Sequence, residues 1–76
     1  MEAVEGQVEA IIAEVAEVPL DSIKRETRLA ELGIDSLDAL RIVAAVEKML
    51  QTEIPEESIG KVETVDDILK MVASLD

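Results

Sequence analysis

Aliphatic residues spaced at alternating steps of four and three constrain this chain most. Val4, Val8, Ile11, Val15 and Val18 follow that spacing with Ile12 beside them, while Glu2, Glu5, Glu9, Glu14 and Glu17 fall off the stripe. A repeat near 3.6 residues belongs to an amphipathic helix and not to a strand, whose side chains alternate with a period of two. Pro19 predicts that this helix ends at or before Val18, because proline disfavours helical geometry in the residue before it. Two further stretches carry the helical period. Leu37, Leu40, Ile42, Val43, Val46, Met49 and Leu50 mark the first, and Val65, Ile68, Leu69, Val72 and Leu75 mark the second. The first of these covers more of the helix circumference than a core-facing stripe requires, so part of it is expected at the surface.

The residues between these stretches read as helix punctuation. Asp35 is placed to cap the second long helix, with Ser36 as its first residue and Asp38 adding a carboxylate at the positive end of the helix dipole. Thr64 caps the last helix, and Asp67 stands three residues on, as in a capping box. In "TEIPEESIG", Pro55 suits a helix start and Gly60 a helix end, leaving room for about a turn and a half. From Pro19 to Asp35 no period persists. Leu20, Ile23, Leu29, Leu32 and Ile34 are nevertheless too apolar for a free linker, so this loop is expected to lie pinned on the core, with a helical turn near Leu29 to Leu32. The expectation is one all-α domain over residues 1–76, a small antiparallel four-helix bundle with three longer helices, one short helix and a long first loop.

Composition then limits what such a bundle does. At 49% hydrophobic and 33% charged, the chain is too apolar to be disordered and too charged to span a membrane, and its N-terminus is acidic where targeting peptides are basic. A reducing cytoplasm is the expected location. The chain has no cysteine and no histidine, which removes disulfides, thiolate metal sites and the commonest general base, so it is not expected to be an enzyme. Eighteen acids against seven bases give a net charge of -11. That charge repels nucleic acid and anionic membranes and favours basic surfaces on other proteins.

The stretch "GIDSLDAL" holds Ser36 where the long loop becomes a helix. Three readings of this serine stay open on chemistry alone. It is an ordinary helix-start residue, a nucleophile, or a point of modification. A nucleophile needs a base, and with no histidine present Asp35 and Asp38 are better used as caps. A phosphate ester at a helix N-terminus would face free backbone N–H groups, although the neighbouring aspartates partly oppose it.

The joint pattern of "LGIDSLDAL", a following helix, "TEIPEES" and "VETVDDI" resembles the acyl carrier proteins of dissociated fatty acid and polyketide synthesis, across essentially the whole chain. The resemblance implies that Ser36, flanked by Asp35 and Leu37, is esterified by 4′-phosphopantetheine taken from coenzyme A by a phosphopantetheinyl transferase. The thiol of that cofactor would carry acyl groups as thioesters, which accounts for a carrier without cysteine. Acyl-transfer and chain-elongation enzymes would be the partners of a monomeric carrier. Val46, Ile54, Ile59, Val62 and Ile68 match positions that line the acyl cavity in such proteins, and each also suits a plain core.

For docking, Leu37, Leu40 and Ala44 are expected to form an apolar contact beside the serine, rimmed by Asp35, Asp38, Glu47, Glu53, Glu56 and Glu57. The chain departs from the family in two ways. Between Ser36 and Leu50, Asp38 and Glu47 are balanced by Arg41 and Lys48, where many relatives are strongly acidic. Arg28 and Leu50 also stand where many relatives place aromatics. A peptidyl or aminoacyl carrier, and an unmodified acidic helical interaction module, are the alternatives.

Overall fold

A computed structural model describes residues 2–74, with the side chains of Glu2, Ala3 and Glu56 left aside. Four α-helices follow in order: α1 (Glu2–Ala16), α2 (Ser36–Leu50), α3 (Glu56–Ile59) and α4 (Val65–Ala73). Two 3₁₀ turns, Leu20–Ser22 and Leu29–Leu32, punctuate the long first loop. The second is the expected turn; the first lies in sequence that shows no period. Helix α1 packs on α2 and α4, and α3 packs on α2. This is the all-α architecture with three longer helices and one short one.

Each helix buries one face. On α2 the core line is Ile42, Val43 and Val46, with Ala39, Met49 and Leu50 at its margins; on α4 it is Val65, Ile68, Leu69 and Val72. These positions follow the spacing that stacks side chains on one side of a helix. Leu75, expected to continue the α4 face, lies outside the described residues. On α1 the structure shifts the expected stripe. Val8, Ile12 and Ala13 are buried, whereas Val4, Ile11 and Val15 only border the core. The small Ala13 faces inward, a position that hydrophobic spacing of the larger residues does not single out.

Helix α1 ends before Val18, as expected, and its last turn closes through a left-handed residue. Glu17 takes a left-handed conformation (φ 58°), its N–H bonds to the Glu14 carbonyl at 3.2 Å, and the Val18 N–H bonds to the Ala13 carbonyl at 3.0 Å. This pair of bonds closes the last turn as a Schellman motif, with Val18 as its apolar partner. Pro19 follows a helix that has already stopped.

The long loop is pinned by the start of α4. The first N–H groups of a helix have no partner inside it. Here the loop supplies them: Val65 N–H donates to the Thr27 carbonyl at 3.0 Å and Asp66 N–H to the Arg25 carbonyl at 2.8 Å. The third, from Asp67, goes to the Thr64 hydroxyl at 3.2 Å. The Asp67 carboxylate in turn accepts from the N–H groups of Thr64 and Glu63, completing the expected capping box. Those backbone donors hold the Asp67 carboxyl below its ordinary range. Arg28 and Thr64 form an isolated antiparallel bridge, and Leu29 N–H donates to the Glu63 carbonyl at 2.9 Å. On the outside, Arg25 pairs with Glu5 of α1 and with Asp66 of α4. Hydrogen bonding from Lys70, and then from Arg25, holds the Asp66 carboxyl low.

Candidate functional site

Ser36 owes its position to three neighbours. Gly33, at φ 76°, ends the 3₁₀ turn in a left-handed conformation that costs an L-residue about 1 kcal/mol or more. Ile34 is buried beneath that turn and anchors the chain. Asp35 then caps α2, its carboxylate accepting from Asp38 N–H at 2.9 Å. The capping bond therefore comes from the aspartate, and the serine next to it is exposed at the first position of the helix. The Ser36 hydroxyl is left accessible to a reagent, at the positive end of a fifteen-residue helix.

A groove of about 780 Å³ opens beside Ser36. One wall is the loop, from Arg28, Leu29, Ala30, Ile34 and Asp35; the second is the start of α2, from Ser36, Ala39 and Leu40. The turn between α3 and α4 closes it with Ile59, Gly60, Val62 and Glu63. Of the five residues matched to an acyl cavity, the structure brings Ile59 and Val62 to this groove. Val46, Ile54 and Ile68 are packed in the core, at 0%, 5% and 2% exposure. Reasoning from sequence did not place Arg28, Glu63 or Gly60 at the groove, because the loop-to-α4 bridge that brings them there leaves no local pattern.

The outer face of α2 is apolar at its start and basic towards its end. Leu37 and Leu40 are 70% and 49% exposed, the largest exposed apolar side chains of the helix. Arg41, Ala44 and Lys48 continue the same exposed face, while Asp38 is partly buried. Glu53 and Glu57 are exposed; the side chain of Glu56 lies outside the described residues. Glu47 has a structural use that its charge does not suggest. Its carboxylate accepts from Ile54 N–H at 2.7 Å, tying the loop after α2 back onto the helix.

Among the described residues there is no cluster able to hold a metal ion, and no helix is long and apolar enough to cross a membrane. What the site offers is an accessible hydroxyl, a capped helix start and a groove beside them. These fit a long group joined through a phosphate to Ser36, since the helix start tolerates the anion and the groove can receive the remainder.

Comparison with known proteins agrees with that fit. The family model for the phosphopantetheine attachment site matches residues 6–72. The acyl carrier protein of Campylobacter jejuni subsp. doylei is 32% identical over 69 residues, covering 90% of this chain and 90% of that protein. The 3-methylorcinaldehyde synthase of Phoma sp is 35% identical over 75 residues, 99% of this chain but 3% of the synthase. The enzyme of the same description from Sarocladium schorii is 34% identical over 68 residues, 90% of this chain and 2% of its own length. The chain belongs to the phosphopantetheine-attachment family, whose cofactor is 4′-phosphopantetheine, and is a homologue of acyl carrier proteins.

Proposed function

We propose that this protein carries acyl groups for fatty acid or polyketide synthesis, with Ser36 as the residue that bears the cofactor. The observation that carries this reading is the division of labour at the start of α2, where Asp35 makes the capping bond and leaves the exposed Ser36 hydroxyl available. Modification joins Ser36 Oγ to the phosphorus of coenzyme A that bears the pantetheine, releases 3′,5′-adenosine diphosphate, and passes the hydroxyl proton to a base on the transferase. When bound, the cofactor supplies the thiol that this cysteine-free chain lacks.

The chain's own residues position and present. Asp35 fixes the helix start, Gly33 aims the loop into it, and the helix dipole favours an anion on Ser36. Leu37 and Leu40 provide an apolar contact for a phosphopantetheinyl transferase and for acyl-transfer and elongation enzymes. Exposed acids such as Glu53 and Glu57 steer basic partners towards it. The reading includes a monomer formed as one domain, located in the cytoplasm and without catalytic activity of its own, since none of its side chains forms a nucleophile–base pair with histidine.

The test is to recover the protein from its own cells and treat it with neutral hydroxylamine, which cleaves thioesters, identifying what is released. Acyl groups bound through Ser36 are expected. A protein recovered wholly without modification at Ser36, from cells making the relevant product, would refute the function.

A further inference from the structure

The groove beside Ser36 is an open trough with a charged lining. Only Leu29 and Ile34 among its lining residues are buried, so a saturated chain lying in it would be covered on one side and would recover only part of the gain from leaving water. Arg28 enters the same trough from a fixed mount. Its backbone is bridged to Thr64, and the bonds from Leu29 N–H to Glu63 and from Val65 N–H to Thr27 hold the residues on either side. Among the described residues the ion pairs engage Arg25 and Lys70 but not Arg28. Its guanidinium offers five N–H donors and no acceptor. Glu63, beside it on the same bridged segment, offers only acceptors from its carboxylate.

We propose that Arg28 is a specificity-determining residue for the cargo, and that the trough takes acyl chains bearing neutral carbonyl or hydroxyl oxygens in preference to saturated ones. This rests on the carrier reading above. The guanidinium donates to carbonyl oxygens, and Glu63 accepts from hydroxyls. Neutral oxygens are favoured over a terminal carboxylate because the lining sets one cation, Arg28, against two acids, Asp35 and Glu63. A saturated chain lying against Arg28 and Glu63, both exposed, displaces part of their water and replaces none of its hydrogen bonds.

The full chain is converted by a transferase with coenzyme A, octanoyl coenzyme A or 3-oxo-octanoyl coenzyme A, and each product is verified by mass. Proton–nitrogen correlation spectra then follow the Arg28 Nε–H and the backbone amides of Val62 and Glu63. The 3-oxo chain is expected to displace all three signals and the saturated chain to leave Arg28 where it stands in the unacylated form. In Arg28→Leu, with folding checked by circular dichroism, the two chains should displace the Val62 and Glu63 amides equally. Three results would overturn the proposal: an Arg28 signal unmoved by either chain, one moved equally by both, or one already moved fully by the unacylated cofactor, which would assign the arginine to the phosphodiester. Failure to modify Ser36 at all appears in the mass before any spectrum and counts against the carrier reading itself.

Discussion

Leu37→Ala separates docking from folding, because Leu37 is 70% exposed and holds up none of the core. Fully burying a leucine side chain contributes about 1.5–3 kcal/mol. With seven-tenths of that surface still open, covering Leu37 in a partner's interface is worth about 1–2 kcal/mol, or roughly a 5- to 30-fold change in kcat/KM at about 1.4 kcal/mol per decade. The cost to the fold should stay within about 0.5 kcal/mol, as for other surface substitutions, which moves the Tm of so small a domain by less than about 4 °C. The assay is transferase modification and acyl loading under subsaturating carrier, with thermal melts of the same samples. A loss of this size at every ionic strength is expected, since the contact is apolar. Parent-like rates would remove the start of α2 from the docking surface, and a large drop in Tm would show that exposure was a poor guide to its role.

Reversing Glu53 and Glu57 to lysine should slow partner association most near 0.01 M salt, where the Debye length is about 30 Å, and little at 0.1 M, where it is about 10 Å; stopped-flow association across a salt series checks this, and parallel salt slopes would reduce the acids to a solubility role. Glu17→Gly should stabilise the chain by about 1 kcal/mol, since glycine adopts the left-handed end of α1 without strain and removes a carboxylate from the negative end of the helix; urea titration reads the gain, and a loss would contradict the Schellman reading. Asp67→Ala should cost about 1–2 kcal/mol at neutral pH by breaking the capping box. Because the Asp67 carboxyl is held low in the folded chain, its contribution is present above the ordinary carboxylate range and is lost as pH falls through the folded value. The gap between parent and variant should therefore begin to narrow below about pH 4 and close only below the folded value, and a gap independent of pH would refute it.

Legibility in the sequence followed the range of the interactions involved. The start of α2 and the start of α4 could be read because an aspartate or threonine cap bonds a backbone group within three residues, and the short α3 because proline and glycine flank it. Local chemistry suffices there. The end of α1 before Val18 was legible from Pro19, whereas the left-handed Glu17 that closes its last turn was not. The shift of the α1 stripe towards Ala13 reflects packing against other helices, which periodicity within one helix does not contain. Glu47 read as a surface charge, although its carboxylate is bound to Ile54 N–H seven residues later.

The groove was the least legible part for the same reason. The loop wall and the segment that closes the groove meet through bonds between residues near 28 and residues near 64, and nothing in either segment announces the other. Ile59 and Val62 could be placed there only through the family resemblance. Arg28 stood out as an unusual residue, but its position on the trough came from the bridge to Thr64.

Attachment at Ser36 is tested by the intact mass of the purified apo chain after incubation with coenzyme A and a broad-specificity phosphopantetheinyl transferase. One phosphopantetheine should be added per chain, fragment spectra should place it on Ser36, and Ser36→Ala should remain unmodified while keeping the helical circular dichroism of the parent. An unchanged mass with several competent transferases, or an addition that persists in the folded alanine variant, would contradict the account.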